Sequence, residues 1–184
     1  YQDIFSFLTQ KAADQQTLYG TRSRTPYKII EMYQSQGGAV ESCKEICAEE
    51  RALKNITEIE KAKEAHKQDA LALVQFMAAL EEGFADHTEW TAAQLLTSFR
   101  EKQPHYQGKS FEVIAGYGPN GAKPHYLPSE HTAVKLEEGG LFLIDSGGQY
   151  WGGTTDVTRT LYIGRTPPKY LYKQWYTRVL KGHI

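Results

Sequence analysis

The chain has 184 residues, 40% of them hydrophobic, which is enough for one sizeable core or for one domain plus part of another. Its formal net charge of -1 and its pI near 6.7 give no electrostatic reason to expect nucleic acid or an anionic membrane as a partner. No apolar run approaches the roughly 20 residues of a bilayer span, and the absence of a signal-peptide pattern, together with only two cysteines, predicts a cytoplasmic protein.

Residues 1–50 have a mixed composition, with a polar "TRSRTP" segment and the pair Gly37–Gly38. This pattern predicts a helix and one or two short strands that are joined by loops.

Two amphipathic helices are predicted next. The first opens with Thr57 and Glu60 in capping-box spacing and stops at Gly83 as a C′ glycine. The second is capped by Thr91, with Gln94 at its third position, and ends before a proline. Their apolar residues recur at helical spacing, at Ala70, Leu73, Val74, Met77 and Leu80 in the first helix and at Ala92, Leu95, Leu96 and Phe99 in the second.

The period then changes to that of β-strands. "FEVIAGYGPNGAKPHYLP" predicts a strand followed by a Gly/Pro/Asn loop that contains His125. "LFLIDSG" and "TTDVTRTLYI" predict an antiparallel hairpin with its turn near Tyr150–Gly153, and the final residues begin a third helix. The predicted class is α+β, with helices packed on an antiparallel sheet.

Two aspartates of the hairpin are the candidate functional residues. Asp145 ends an apolar run that reads as buried, and the turn brings Asp156 within about one residue of the position opposite it. Two such carboxylates repel unless one is protonated or a cation lies between them, and a pair of divalent ions would resolve the conflict. Spacing alone leaves two alternatives open, an Asx turn at Asp145 and pairing of Asp156 with Arg159.

Four segments resemble the creatinase-fold, or pita-bread, metallopeptidases, and the Xaa-Pro aminopeptidase (aminopeptidase P) branch most of all. "IDSGGQYWGGTTDVTRT" is similar to the metal-binding hairpin of that family, and "GPNGAKPHY" resembles the segment that supplies an active-site histidine. "RALKNITEIEKAKEAHKQDALAL" resembles the first catalytic-domain helix with its lead-in, and "VLKGHI" the helix after the hairpin.

The resemblance implies roles for individual residues. Asp145 and Asp156 are expected to be metal ligands, with Asp156 bridging two divalent ions, for which Mn²⁺ is favoured over Zn²⁺ or Co²⁺. His125 is expected to hydrogen-bond the scissile peptide or to shuttle a proton, while Tyr126 and Arg159 support the site. The implied reaction releases the N-terminal residue from peptides with proline at the second position, through a hydroxide activated by the two metals.

The resemblance also implies that part of the site lies elsewhere. The family requires a histidine and two glutamates downstream, but the 28 residues after Asp156 contain no Asp or Glu. We therefore expect residues 51–184 to be the first half of a pita-bread domain and residues 1–50 the tail of a preceding domain. The chain alone is expected to be inactive, and the full-length protein is expected to be a homodimer acting on Xaa-Pro peptides. A prolidase (Xaa-Pro dipeptidase) and a non-catalytic creatinase-fold binding module are the alternatives.

Overall fold

The computed structural model describes residues 2–21 and 23–184. The helices within these residues are α1 Gln2–Ala13, α2 Tyr27–Ser35, α3 Ile46–Ala52, α4 Ile56–Gly83, α5 Glu89–Glu101 and α6 Tyr170–His183. The strands are β1 Thr17–Gly20, β2 Ala39–Ser42, β3 Tyr106–Lys109, β4 Ile114–Tyr117, β5 Gly140–Ser146, β6 Gly148–Tyr150, β7 Gly153–Thr154 and β8 Val157–Ile163. The chain divides into two compact units, residues 1–54 and 55–184.

The first unit contains α1, α2, α3 and a parallel pair formed by β1 and β2. Its small core consists of Leu8, Ala12 and Tyr33. The Tyr33 hydroxyl donates a 2.8 Å hydrogen bond to the carbonyl of Gln16, which joins α2 to the segment before β1. The predicted short strands are confirmed for this unit, but its described residues form three helices where one was predicted.

The cap of α4 differs from the predicted one. The Asn55 side chain accepts a 2.9 Å hydrogen bond from the backbone of Glu58, whose carboxylate accepts one of 2.8 Å from the Asn55 backbone. The capping box therefore uses Asn55 and Glu58, and the assignment to Thr57 and Glu60 was wrong. Asparagine caps a helix as well as threonine does, and the spacing of the two candidate boxes is the same.

The buried face of α4 is also rotated from the predicted one. Ala70 and Val74 are exposed. α4 ends at Gly83 as predicted, but the φ of Gly83 is -135°, not the left-handed value of a C′ glycine, and a 3-10 turn follows. The buried residues of α4 are Ala65, Asp69, Ala72, Leu73, Phe76 and Leu80. A charged residue thus occupies a core position.

A buried ion pair explains this position. The Arg100 guanidinium donates to both carboxylate oxygens of Asp69, at 2.7 Å and 3.0 Å, and each side chain is only 1% exposed. The Tyr150 hydroxyl donates a further 3.0 Å bond to the same carboxylate. Together these contacts join α4, α5 and β6.

α5 begins earlier than predicted. Thr88 is its N-cap and forms a capping box with Thr91, whose hydroxyl accepts a 2.8 Å bond from the Thr88 backbone. Thr91 is therefore the third helical residue, not the cap. Ala92 and Leu96 are buried as predicted, and Leu95 and Phe99 pack on the core while partly buried.

The strands of the second unit form two antiparallel sheets, with the orders β4-β5-β8 and β3-β6-β7. The tight turn between Tyr150 and Gly153 is confirmed. The predicted single hairpin instead changes sheet at Gly147, where a Cβ would collide with the Thr155 carbonyl and the Ser110 side chain. Only glycine can occupy this crossing point.

One face of the β4-β5-β8 sheet carries the core, to which Phe142 and Ile144 contribute, together with Leu73, Phe76 and Leu96 from the helices. This is the predicted arrangement of helices on an antiparallel sheet. None of the helices in the described part of the chain is long and apolar enough to cross a bilayer.

Candidate metal centre

Asp145 lies within β5, on the face opposite the core. Phe142, Ile144 and Ser146 are buried, so the alternation of a strand places Leu143 and Asp145 on the other face. The Thr158 hydroxyl donates a 2.7 Å hydrogen bond to Oδ1 of Asp145. Asp145 is therefore held by its neighbour on β8 and does not form the alternative Asx turn.

Asp156 follows a residue that is locked in place. Thr155 is fully buried and forms two hydrogen bonds with Gly148. Its hydroxyl accepts from the Gly148 backbone N–H at 2.9 Å, and its own N–H donates to the Gly148 carbonyl at 2.9 Å. The Ser110 hydroxyl donates to the Thr155 carbonyl, also at 2.9 Å. These three bonds fix the backbone from which the exposed Asp156 projects.

The register separates the two aspartates more than predicted. Asp145 pairs with Thr158 across the β5–β8 ladder, so Asp156 lies two residues from the opposed position, not one. Within a ladder, diagonal neighbours are about 7–8 Å apart, compared with about 5 Å for directly opposed residues. Asp156 lies one residue before β8, just beyond the last pair, Ser146 with Val157. The two carboxylates are thus brought to the same end of the same strand pair.

The surroundings of the two aspartates are more open than predicted. Asp145 is half-buried and Asp156 is exposed, so the expectation that the chain is buried at Asp145 was wrong. The apolar run before Asp145 misled the prediction, because only alternate residues of that run reach the core. Arg159, the alternative partner of Asp156, donates instead to the carbonyl of Thr158.

His125 lies in the loop after β4, whose first residues fold back over the same face of the sheet. A 3-10 turn, Gly118–Ala122, follows β4, and a Cβ on Gly116 would lie 2.7 Å from the backbone nitrogen of Gly121. Gly116 pairs with Leu143, which is two residues along β5 from Asp145. His125 is exposed and has a φ of 55°, which is a left-handed conformation that non-glycine residues rarely adopt.

A buried glutamate that the sequence did not single out anchors this loop. Glu89 is 0% exposed and accepts hydrogen bonds from the side chains of Asn120 and Tyr126 and from the backbones of Tyr117 and Val134. Burial and the bond to Glu89 raise the pKa of Tyr126 above its ordinary value. Tyr126, predicted as a supporting residue, therefore supports the loop next to His125. The sequence signal that could have identified Glu89 was a glutamate at the first position of a capped helix. Many surface helices also have a glutamate there, so the signal is weak.

The two aspartates offer oxygen ligands of the kind that bind hard divalent cations. Asp145 uses Oδ1 for the bond from Thr158, and its second oxygen can still bind a cation. Within residues 2–21 and 23–184, however, no three His, Cys, Asp or Glu side chains form a group that could hold a metal ion. Asp145 and Asp156 thus fit part of a coordination sphere, and His125 does not complete it.

Similar proteins share this region. Residues 60–184 match the model of metallopeptidase family M24, a span that contains all three predicted site residues. Xaa-Pro aminopeptidase 1 of Dictyostelium discoideum is 44% identical over 140 residues, which cover 73% of this chain and 22% of the relative. The chain therefore spans about a fifth of the length of such relatives.

Two solved structures have the same architecture. X-prolyl aminopeptidase from Caenorhabditis elegans, described as a cytosolic enzyme with a di-nuclear active site, aligns with a TM-score of 0.78 at 29% identity, covering 91% of this chain and 28% of that one. Xaa-Pro dipeptidase from Bacillus anthracis aligns with a TM-score of 0.75 at 24% identity, covering 95% and 48%. The second likeness concerns the fold alone. With the family match over more than half its length, the chain belongs to metallopeptidase family M24 and has the pita-bread fold.

Proposed function

We propose that the full-length protein containing this chain is a metal-dependent Xaa-Pro aminopeptidase, which releases the N-terminal residue from peptides with proline at the second position. The observation that carries the proposal is the family match over residues 60–184, which includes His125, Asp145 and Asp156. The names of the relatives and of the structural neighbour support the choice of substrate.

Asp145 and Asp156 hold the metal ions in this proposal. When bound, divalent ions supply Lewis-acid polarisation of a peptide carbonyl and an activated water. Thr158 orients Asp145 through its hydroxyl, and the bonds of Thr155 orient the backbone at Asp156. His125 donates a hydrogen bond to the substrate peptide or carries a proton to the departing amine.

Several features of the full-length protein belong to the same proposal. Two ions are expected, with Mn²⁺ favoured because of the oxygen ligands and Zn²⁺ or Co²⁺ as substitutes. Residues 51–184 supply the first half of the catalytic domain and residues 1–50 the tail of a preceding one. We further propose a homodimer in the cytosol; the description of the Caenorhabditis elegans enzyme as cytosolic supports the location.

The test replaces each aspartate in the full-length protein. Asp145→Asn and Asp156→Asn should each lower kcat/KM on an Xaa-Pro-Xaa peptide by more than about 100-fold. Replacing a residue that only hydrogen-bonds a metal ligand typically costs about 10–100-fold, and loss of the ligand itself should cost more. Bound metal, measured by mass spectrometry, should fall with the activity. Asp86→Asn, at an exposed aspartate of the turn after α4, is the matched control and should retain both.

The outcomes separate the alternatives. Undiminished turnover in both aspartate variants would exclude the metal roles, and a wild-type protein inactive with Mn²⁺, Zn²⁺ and Co²⁺ would indicate the binding module. Cleavage of Xaa-Pro dipeptides but not of longer peptides would identify a prolidase. The 184-residue chain alone should be inactive, because two carboxylates supply only part of a coordination sphere.

A further inference from the structure

Glu89 is a buried carboxylate at the first position of α5, and it is not one of the proposed metal ligands. An ionised carboxylate is costly to bury unless partners replace the water that it loses. Its position at a helix N-terminus compensates part of the charge. The remaining compensation comes from hydrogen-bond donors, and those donors lie in one region of the chain.

Four uncharged groups donate to Glu89. The Tyr117 backbone and the Asn120 amide donate to Oε1, at 2.7 Å and 3.0 Å. The Tyr126 hydroxyl and the Val134 backbone donate to Oε2, at 2.9 Å and 3.1 Å. These donors begin at the end of β4 and continue through the irregular segment 118–134, so a single carboxylate fixes the segment at four points.

His125 depends on this segment for its position. Its left-handed φ of 55° is a conformation that persists only when the surrounding structure enforces it. The next residue, Tyr126, is bonded to Glu89 by its hydroxyl, and Asn120 bonds both Glu89 and the Tyr126 hydroxyl. Lys123 strengthens the group by donating to Oδ1 of Asn120 at 2.7 Å.

We propose that Glu89 is a positioning residue, which holds the loop and, through Tyr126, sets the orientation of His125 in the reaction proposed above. Glu89 acts without touching the substrate. The inference rests on the proposed function, but the placement of His125 can be measured without any activity.

The two oxygens of Glu89 make glutamine a poor substitute. Each oxygen accepts from one backbone N–H, Oε1 also from the Asn120 side chain, and Oε2 also from Tyr126 and, at 3.3 Å, from Asn120. A backbone N–H cannot turn round to accept. In either orientation, the amide of Glu89→Gln faces the N–H of Tyr117 or of Val134. Glu89→Gln therefore loosens the whole segment, whereas Tyr126→Phe removes only the bonds of the Tyr126 hydroxyl with Glu89 and Asn120.

A double-mutant cycle in the full-length, Mn²⁺-loaded protein tests the proposal. Tyr126→Phe should lower kcat on an Xaa-Pro-Xaa peptide by about 10-fold with little change in KM, because it misplaces His125 rather than weakening substrate binding. In the His125→Ala background the same change should cost less than about 2-fold, since no imidazole remains to be positioned. An equal loss in both backgrounds, or no loss in either, would overturn the proposal.

The matched control is Tyr150→Phe, which also removes a hydroxyl from a buried carboxylate, that of Asp69, at 3.0 Å. Its kcat should stay within about 2-fold of wild type, because its network does not reach the His125 loop. A loss equal to that of Tyr126→Phe would show that general loosening explains both and would overturn the proposal.

An NMR measurement separates this proposal from the proposed function. With isotope-labelled histidine, the His125 ring signal should shift in Tyr126→Phe and in Glu89→Gln but not in Tyr150→Phe. The amides of Tyr117 and Val134 should exchange faster with solvent in Glu89→Gln. An unchanged ring signal would refute the positioning role even in an active protein, while an inactive wild type with the expected shifts would refute only the peptidase function.

Discussion

Two buried carboxylates in the second unit are stabilised in different ways. Asp69 is paired with the Arg100 guanidinium, a cation buried beside it, and both residues belong to long helices. Glu89 is surrounded by uncharged donors, two of which are backbone N–H groups of an irregular segment. The same tyrosine contact occurs in both, from Tyr150 to Asp69 and from Tyr126 to Glu89.

The difference follows from what each carboxylate joins. Helices satisfy their own backbone groups, so a residue that joins two helices needs only side-chain partners. An irregular segment has no ladder for its N–H groups, and buried N–H groups must find acceptors. A carboxylate supplies several acceptor sites at once. The Asp69 network therefore holds regular elements together, whereas the Glu89 network holds the loop that carries His125.

The largest effect on stability is expected when the cation is removed from the Asp69 network. Arg100→Met should lower the free energy of unfolding by about 3–5 kcal/mol, since it leaves the Asp69 charge buried without its partner. Chemical unfolding followed by a tyrosine or tryptophan signal measures this loss. The double variant with Asp69→Asn should recover much of it, and a loss below about 1 kcal/mol in Arg100→Met would show that Tyr150 and the helices suffice for Asp69.

A smaller effect is expected in the second network. Glu89→Gln should lower the free energy of unfolding by up to about 3 kcal/mol, because one backbone N–H is left without an acceptor. Hydrogen exchange should show the change concentrated in residues 117–134, in contrast to the global loss expected for Arg100→Met. Exchange that rises equally across α4 and α5 would contradict the division between the two networks.

The tyrosine contacts should have smaller and nearly equal effects. Tyr126→Phe and Tyr150→Phe should each cost about 1.5 kcal/mol at neutral pH, the value typical of a hydrogen bond to a charged group. Thermal or chemical unfolding of both variants in the same buffer measures the difference. If one variant loses more than twice as much free energy of unfolding as the other, the two tyrosine hydrogen bonds do not contribute equally.

The smallest effect is the pH dependence of the Tyr150 contact. Burial, followed by the neighbouring Asp69 charge, raises the pKa of Tyr150 above its ordinary value of 10.0. Above about pH 10 the unfolded tyrosine loses its proton before the folded one does, so the wild type loses stability as the pH rises. Tyr150→Phe lacks this group, and its deficit relative to wild type should be constant below about pH 9 and narrow as the pH rises above about 10. A constant deficit would mean that Tyr150 titrates normally.

Local pattern was sufficient to predict the elements near the site but not their exact limits. The helical period predicted α4 and α5, and the two-residue period predicted β5 and β8. The caps were misplaced because Asn55 and Thr88 lie close to equally suitable Thr57 and Thr91. Short strands such as β3, with its glycine at position 108, carry too little pattern to be recognised.

The sequence by itself determined the fold class, the family resemblance and the choice of Asp145, Asp156 and His125 as candidates, because these depend on local order along the chain. Only the tertiary structure decided that Asp69 and Glu89 are buried, since their partners lie 31 residues away for Arg100 and 45 for Val134. It also decided that Asp156 is diagonal to Asp145, because register depends on where the chain leaves one sheet for the next. Contacts between distant residues have no local signature, and they hold His125 in place.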